Sequence, residues 1–219
     1  NILLFTEDQR GKLWICGGTR GEVSATYCIF DPETEQFSAV EEYLGSAPPF
    51  DPKSTQMGES IHGKVTFMEF VNAPEGIRCY EYDSLGMRFL FEIPQDNPLI
   101  QGRLCHRFYA TGPNEYVLMT SAPDDSEPQF LYLNRQGRLL RKWTCPESHP
   151  ILATYRVSRD KLCIYCANGT DKWNVRFFED GISKQVQDLQ VLPEWQERFG
   201  IGNGLIYAFS TDSLRIFDE

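Results

Sequence analysis

Three groups of side chains in this sequence have types and spacings that could do chemistry. Cys145-Pro-Glu-Ser-His149 followed by Cys163-Ile-Tyr-Cys166 has the donor types and approximate spacing of a four-ligand zinc site. On an extended strand, however, residues three apart point to opposite faces, so Cys163 and Cys166 do not converge. The pattern therefore predicts buried thiols, with no metal and no cofactor. The histidines His62, His106 and His149 lie near no Gly-x-Ser-x-Gly nucleophile turn and read as core or surface residues. The acidic pairs Glu41-Glu42 and Asp124-Asp125 are of the type used by glycosidases, yet adjacent carboxylates in loops are more often simply solvated. The third group is Arg20, Trp173, Trp195 and Arg198. Indole faces stack on sugar rings and guanidinium groups bind carboxylate or sulfate, which makes these four the ligand-binding candidates; the competing role for Trp173 and Trp195 is to fill space inside the fold. Asn168-Gly169-Thr170 is a glycosylation acceptor triplet, informative only in a secreted eukaryotic protein.

The elements that must position these residues are short strands. Aromatic residues make up 13% of the 219, and β-branched and aromatic runs are broken by Gly, Pro, Asn and Asp, so long helices are not expected. Apolar residues amount to 41%, enough for a packed core. With 31 acidic against 21 basic residues the net charge is −10, which opposes binding to phosphate backbones and anionic lipid. No apolar run approaches the roughly 20 residues that span a bilayer, and with no cationic and apolar leader pattern before Ile2 a secretory signal is expected to be either absent or already removed. Seven cysteines cannot all pair within one chain, and Cys16, Cys28, Cys79, Cys163 and Cys166 sit in apolar runs where a thiol behaves as a small hydrophobe. Thiols of this kind favour a reducing compartment.

A repeat organises the strands. Leu13 to Asp31, Val65 to Asp83, Tyr116 to Asn134 and Leu162 to Asp180 are each 18 positions apart, and the fifth pair, Leu205 to Asp218, is 13. Each pair brackets two strands, the second ending in an acid or amide that can accept a hydrogen bond from the backbone two residues on and so start a turn. Third strands are expected over 36–43, 88–93, 138–144 and 182–191, and innermost strands over 2–6, 105–110 and 151–157. The spacing between repeats, 43 to 52 residues, suits four-stranded propeller blades. The expected fold is all-β: a single β-propeller domain or fragment over 1–219, with blades near 1–45, 57–97, 101–145, 150–192 and 200–219. Four blades are complete, the fifth is partial, and the ring is expected to be incomplete. Helical character is confined to Pro193–Phe199. The connections on one face of the meanders are short, whereas those at 18–25, 72–76, 122–129 and 168–173, with the inter-blade segments 45–56, 94–101, 146–150 and 192–200, are long. Recognition is expected on that long-loop face.

The first repeat, Glu7-Asp8-Gln9-Arg10-Gly11-Lys12-Leu13-Trp14-Ile15-Cys16-Gly17 with Ile29-Phe30-Asp31-Pro32 and Phe37, resembles the regulator-propeller repeat of bacterial hybrid two-component sensors. Blade two keeps Gly63-Lys64-Val65 but has Thr66 for the tryptophan, and later blades keep the register with few signature residues. The resemblance implies a non-catalytic sensor outside the cytoplasm, ahead of a membrane span and a kinase module, that recognises carbohydrate breakdown products. Thr6, Asp8, Gly11 and Trp14 also resemble the sialidase Asp box with one extra residue, which implies that Asp8 ties the turn and Trp14 packs between blades. The partners expected are an oligosaccharide or other small ligand and a protein partner or second copy, with no nucleic acid and no membrane contact in this segment. Two other readings stay open: a cytoplasmic propeller scaffold for proteins, and a propeller glycoside hydrolase with three acidic side chains around the axis.

Overall fold

The computed structural model describes residues 2–17, 26–58, 63–72, 75–124 and 127–144, and then seven strands between residues 151 and 218 by their backbone pairing. Contacts divide the chain into two compact units, Asn1–Pro123 with Gln129–Thr144, and Asp124–Pro128 with Cys145–Glu219.

The first unit holds three four-stranded antiparallel meanders. They are β1 (Ile2–Glu7), β2 (Leu13–Gly17), β3 (Thr26–Asp31) and β4 (Gln36–Ala39); β5 (Thr55–Met57), β6 (Val65–Asn72), β7 (Glu75–Asp83) and β8 (Gly86–Pro94); and β9 (Leu104–Ala110), β10 (Glu115–Ser121), β11 (Gln129–Asn134) and β12 (Leu139–Thr144). The second unit has β13 (Ile151–Arg156), β14 (Lys161–Ala167), β15 (Lys172–Glu179) and β16 (Ile182–Gln190) as a fourth meander. A three-stranded sheet of β17 (Phe199–Gly202), β18 (Leu205–Phe209) and β19 (Leu214–Asp218) follows. Strands pair in sequence order in every sheet, as the 43–52-residue repeat requires.

The repeat is visible in the register. Leu13 pairs with Phe30, Val65 with Tyr82 and Tyr116 with Leu133, so in these three hairpins the acid or amide is the residue immediately after the cross-strand partner. The fourth differs: Leu162 faces Phe178 and Lys161 faces Glu179, one residue out of step, although the spacing from Leu162 to Asp180 is the same. The turns behave as their chemistry demands. Asp31 Oδ1 accepts from the Glu33 N–H at 2.9 Å, Asp83 Oδ1 from Leu85 at 2.8 Å, and Asn134 Oδ1 from Gln136 at 2.9 Å.

Several expectations need correction. The third strand of the first blade stops at Ala39, and Val40–Leu44 form a short helix, α1, closed by Gly45 in the left-handed region at φ 71°. The connection expected to be long at 72–76 is a tight hairpin, since Asn72 pairs with Glu75. Blade two begins two residues early, at Thr55, because β5 supplies an innermost strand of only three residues. Phe199, expected at the end of a helical stretch, opens β17; residues 193–198 lie outside the described residues. Cys28 is half-buried rather than buried.

β6 explains how the blades hold together. It is buried on both faces, and its alternation sends Val65 and Phe67 toward blade one and Thr66 and Met68 toward blade three. The first seam packs Trp14, Ile29 and Phe50 against Phe67, Tyr80 and Tyr82; the second packs Met68, Cys79, Phe91 and Ile93 against Phe108, Tyr116, Leu118 and Leu133. Full burial of a side chain such as Phe67 or Leu118 contributes roughly 2–3 kcal/mol. Polar contacts set the register of the seams. Gln9 N–H donates to the Gly63 carbonyl at 3.1 Å, and Thr66 Oγ1 donates to the Phe108 carbonyl at 2.8 Å. Glu81, with no exposed side-chain surface, accepts from the Tyr116 hydroxyl at 2.6 Å and meets Lys64 Nζ at 3.2 Å and Arg88 at 2.7 Å. Lys64 in turn reaches the Pro113 carbonyl at 2.7 Å, so the carboxylate bonds blade two to blade three twice over.

Candidate functional site

The two ends of the first unit are built differently. At the end carrying the β1–β2 and β3–β4 turns, Asp8 is buried and accepts four hydrogen bonds. Oδ1 takes the N–H groups of Arg10 at 2.8 Å and Lys12 at 3.1 Å, and Oδ2 takes the indole of Trp14 at 3.0 Å and the hydroxyl of Tyr43 at 2.8 Å. Trp14, fully buried, lies 5.3 Å from Phe67 and 4.9 Å from Tyr82 between ring centroids, so it packs across the seam between blades one and two. Both roles implied by the Asp-box resemblance are present, and both are structural.

At the opposite end, Tyr27, at the start of β3, and the connection from α1 to β5 enclose a cavity of about 360 Å³. Its floor is apolar: Tyr27, Val40 and Phe50, with Phe50 stacked on Phe67 at 4.8 Å. Pro48 and Pro52 wall it with backbone whose φ is fixed by the ring. Glu41 and Lys53, both exposed, stand at the rim with one acceptor and one cationic donor.

The connection is held in place from below. Glu69, largely buried in β6, accepts from the Asp51 N–H at 2.9 Å through one oxygen and from the Tyr80 hydroxyl at 2.9 Å through the other. Burial first, and then the Glu69 carboxylate, raise the Tyr80 phenol above its ordinary range. The Asp51 carboxylate caps the Lys53 N–H at 3.0 Å, and Thr55 Oγ1 donates to the Asp51 carbonyl at 2.7 Å. The Tyr27 hydroxyl donates to the Thr55 carbonyl, and its phenol is also pushed up, chiefly by burial. Rigid walls, an aromatic floor and a mixed-charge rim suit reversible capture of a small ligand with both apolar and hydroxyl-bearing surfaces.

Of the residues singled out from sequence, Arg20, Trp195 and Arg198 lie outside the described residues. Trp173 sits inside β15, opposite Ala167 and Leu189, rather than in the connection before it. Cys145 and His149 lie outside the described residues, and Cys163 and Cys166 are both on β14. Glu41 and Glu42 are solvent-exposed, on the short helix α1 rather than in a loop. His106 Nε2 lies 2.6 Å from the buried hydroxyl of Ser121, which itself donates to the Ala122 carbonyl. Sequence reasoning missed Tyr27, Phe50 and Glu69. The signal for Glu69 was present, an acid inside the apolar run Thr66-Phe67-Met68-Glu69-Phe70, where a carboxylate needs buried donors.

No protein-family model matches the chain, and no curated protein sequence matches it. Its backbone is similar to several solved structures. A triple arginine mutant of AofleA from Arthrobotrys oligospora superposes with a TM-score of 0.56 at 12% identity, over 98% of this chain and 67% of that one. The β-propeller domain of the Trilobed protease from Pyrococcus furiosus, with its open velcro topology, superposes with a TM-score of 0.50 at 11% identity, over 99% and 68%. These sheets are β-propeller blades. A prolyl endopeptidase is similar as well, with a TM-score of 0.52 at 12% identity over 95% of this chain, which spans only 29% of the enzyme's length. At such identities the likeness concerns the propeller fold alone.

Proposed function

We propose that this propeller segment is a non-catalytic ligand-binding module, the extracytoplasmic sensor region of a two-component regulator, and that a carbohydrate-derived ligand seats at its long-loop end. The cavity over Tyr27 and Phe50 carries this reading. Its volume is near the lower end of the about 300–1,000 Å³ usual for ligand pockets, room for about one or two sugar rings. Sugar C–H faces pack on aromatic rings, and ring hydroxyls both donate to a carboxylate such as Glu41 and accept from an ammonium such as Lys53. The resemblance of the first blade to the regulator-propeller repeat supports the sensing role, and the turn end, tied by Asp8, supplies the rigid base that such a site needs.

The test is a screen of the purified chain against an oligosaccharide array, followed by calorimetry with the best binder on the native protein and on Lys53→Ala and Glu41→Ala. Binding that both substitutions weaken, with the sugar recovered intact by mass spectrometry, supports the reading. Absence of any binder defeats the ligand assignment, and a cleaved sugar defeats the non-catalytic one.

A second reading is a cytoplasmic scaffold for other proteins. Cys16, Cys28, Cys79 and Cys105 are free thiols, as a reducing compartment would keep them.

A further inference from the structure

We propose that β12 and the turn before it form a docking strip for an acidic, extended segment of polypeptide. Between Glu127 and Glu147 the chain carries Arg135, Arg138, Arg141 and Lys142 and no acidic residue, in a protein whose net charge is −10. Arg135 approaches the buried Glu81 at 3.5 Å, and Arg141 lies 3.5 Å from Glu115 and 4.0 Å above the Tyr132 ring. Arg138 and Lys142 are exposed and form no ion pair among the described residues. Between these two cations lie Leu139 and Leu140, 43% and 54% exposed, far more than buried leucines such as Leu131 and Leu133 on the neighbouring strand.

The backbone completes the strip. β12 ends the strand order β12-β11-β10-β9, so among the described residues its outer N–H and C=O groups face no further strand. Basic side chains can simply guard such an edge against unwanted pairing. The corresponding last strands of the other two meanders of this unit carry no such unpaired cation, since β4 (Gln36-Phe37-Ser38-Ala39) has no charge, and the Arg88 and Glu92 of β8 are both engaged in ion pairs. Arg138, in the turn just before β12, and Lys142, on β12, are unpaired among the described residues and flank Leu139 and Leu140, about 10–13 Å apart along the chain. The register shift after Tyr132 sets Lys142 and Leu139 on the face of Leu131 and Leu133, and Arg138, bonded to Asn134, on the other, so the strip matches a partner strand that carries a carboxylate toward each face among aliphatic side chains and pairs with the edge. A nucleic acid or sulfated polymer would offer charge but no strand-forming amides, and its dense charge would be repelled more strongly by the rest of this acidic surface.

The probe is a fluorescein-labelled peptide of about eight residues of Val and Leu with Glu or Asp placed to face both sides of the strand, read by fluorescence anisotropy on the whole chain. Saturable binding is expected, weakened by at least about tenfold in the double variant Arg138→Glu, Lys142→Glu and by N-methylation of alternate peptide amides. Both substituted residues are exposed, so the variant's thermal midpoint should match the native one, which separates lost docking from lost folding. The proposal fails if no binding is seen at ~1 mM peptide. It also fails if the N-methylated peptide binds equally, if a single-stranded oligonucleotide of equal charge binds as tightly, or if the charge reversal changes only self-association in sedimentation. Each of these outcomes is independent of whether the Tyr27 cavity binds sugar.

Discussion

The indole N–H of Trp14 donates to Oδ2 of Asp8 over 3.0 Å, and both side chains are buried where the first blade meets the second. One carboxylate thereby satisfies the Trp14 and Tyr43 side chains and two turn N–H groups together. Asp8→Ala would leave the buried Trp14 indole N–H without a partner, at a cost of about 1–3 kcal/mol, and would strip the part-buried Arg10 and Lys12 N–H groups and the Tyr43 hydroxyl of an acceptor. A loss of about 3 kcal/mol or more is expected in urea unfolding, with Asp8→Asn between the two because its amide retains one acceptor oxygen. A change below about 0.5 kcal/mol, the level of an ordinary surface substitution, would contradict this role.

Glu81 joins the second and third blades, and removing its charge leaves Lys64 without its carboxylate partner and Arg88 with Asp83 alone. Breaking a buried pair in this way typically costs about 3–5 kcal/mol, so Glu81→Gln should destabilise by an amount in or just below that range. Tyr116→Phe, which removes one donor, should cost about 1–2 kcal/mol. Equilibrium denaturation of the two variants checks both the size and the order of the effects.

The same carboxylates make stability depend on pH. Burial pushes Glu81 up, but the Tyr116 hydroxyl, Lys64 and Arg88 together outweigh it and hold the group below 4.5. The Lys12 ammonium holds Asp31 down from 3.8 to about 2. Because both values are lower in the folded chain, their contributions are present above the unfolded pKa and are lost as pH falls through the folded one. Stability should therefore drop between about pH 4.5 and 2, and the drop should be shallower in Glu81→Gln. An identical acid limb in native and variant proteins would refute the assignment.

Gly58 tests the close approach of blades two and three. A Cβ at this position would overlap the Phe108 carbonyl oxygen and Thr66 Oγ1, the two atoms of an inter-blade hydrogen bond. Gly58→Ala should lower stability by about 1–3 kcal/mol, the cost of overpacking, whereas Gly45→Ala, with open space around it, pays only for its left-handed φ. Equal melting temperatures for native and Gly58→Ala proteins would show that the seam is looser than described.

Thiol reactivity reports on the same core. Burial pushes Cys105 up to about 12 and Cys79 well above its ordinary value, so neither forms thiolate near neutral pH. Site-resolved alkylation of the native chain at pH 8 should label the half-buried Cys28 well before Cys79, and Cys79 only as the chain unfolds.

Much of this architecture was legible because turn chemistry is local. Asp31, Asp83 and Asn134 bond to backbone two residues on, so their even spacing reports strand pairing directly, and three hairpins share the register it implied. The fourth does not, since Leu162 pairs with Phe178 and identical spacing does not force identical pairing. α1 was read as strand because Val40 and Tyr43 are strand formers, although Glu41 and Glu42 in its first turn and Gly45 after it are helix punctuation. The cavity was out of reach for a different reason. Tyr27, Val40 and Phe50 are separated by 10 to 23 positions, and only the fold of the connection onto Glu69 brings them together.

The central claim is that this propeller segment recognises its ligand at the long-loop end and uses the turn end only as support. Hydrogen exchange with and without a saturating oligosaccharide tests it most directly. The account predicts new protection at residues 26–28, 39–41 and 48–53 and none at the turns 8–12, 32–35 and 134–138. Protection concentrated at those turns, or unchanged exchange around Tyr27 and Phe50 with the sugar bound, would contradict it.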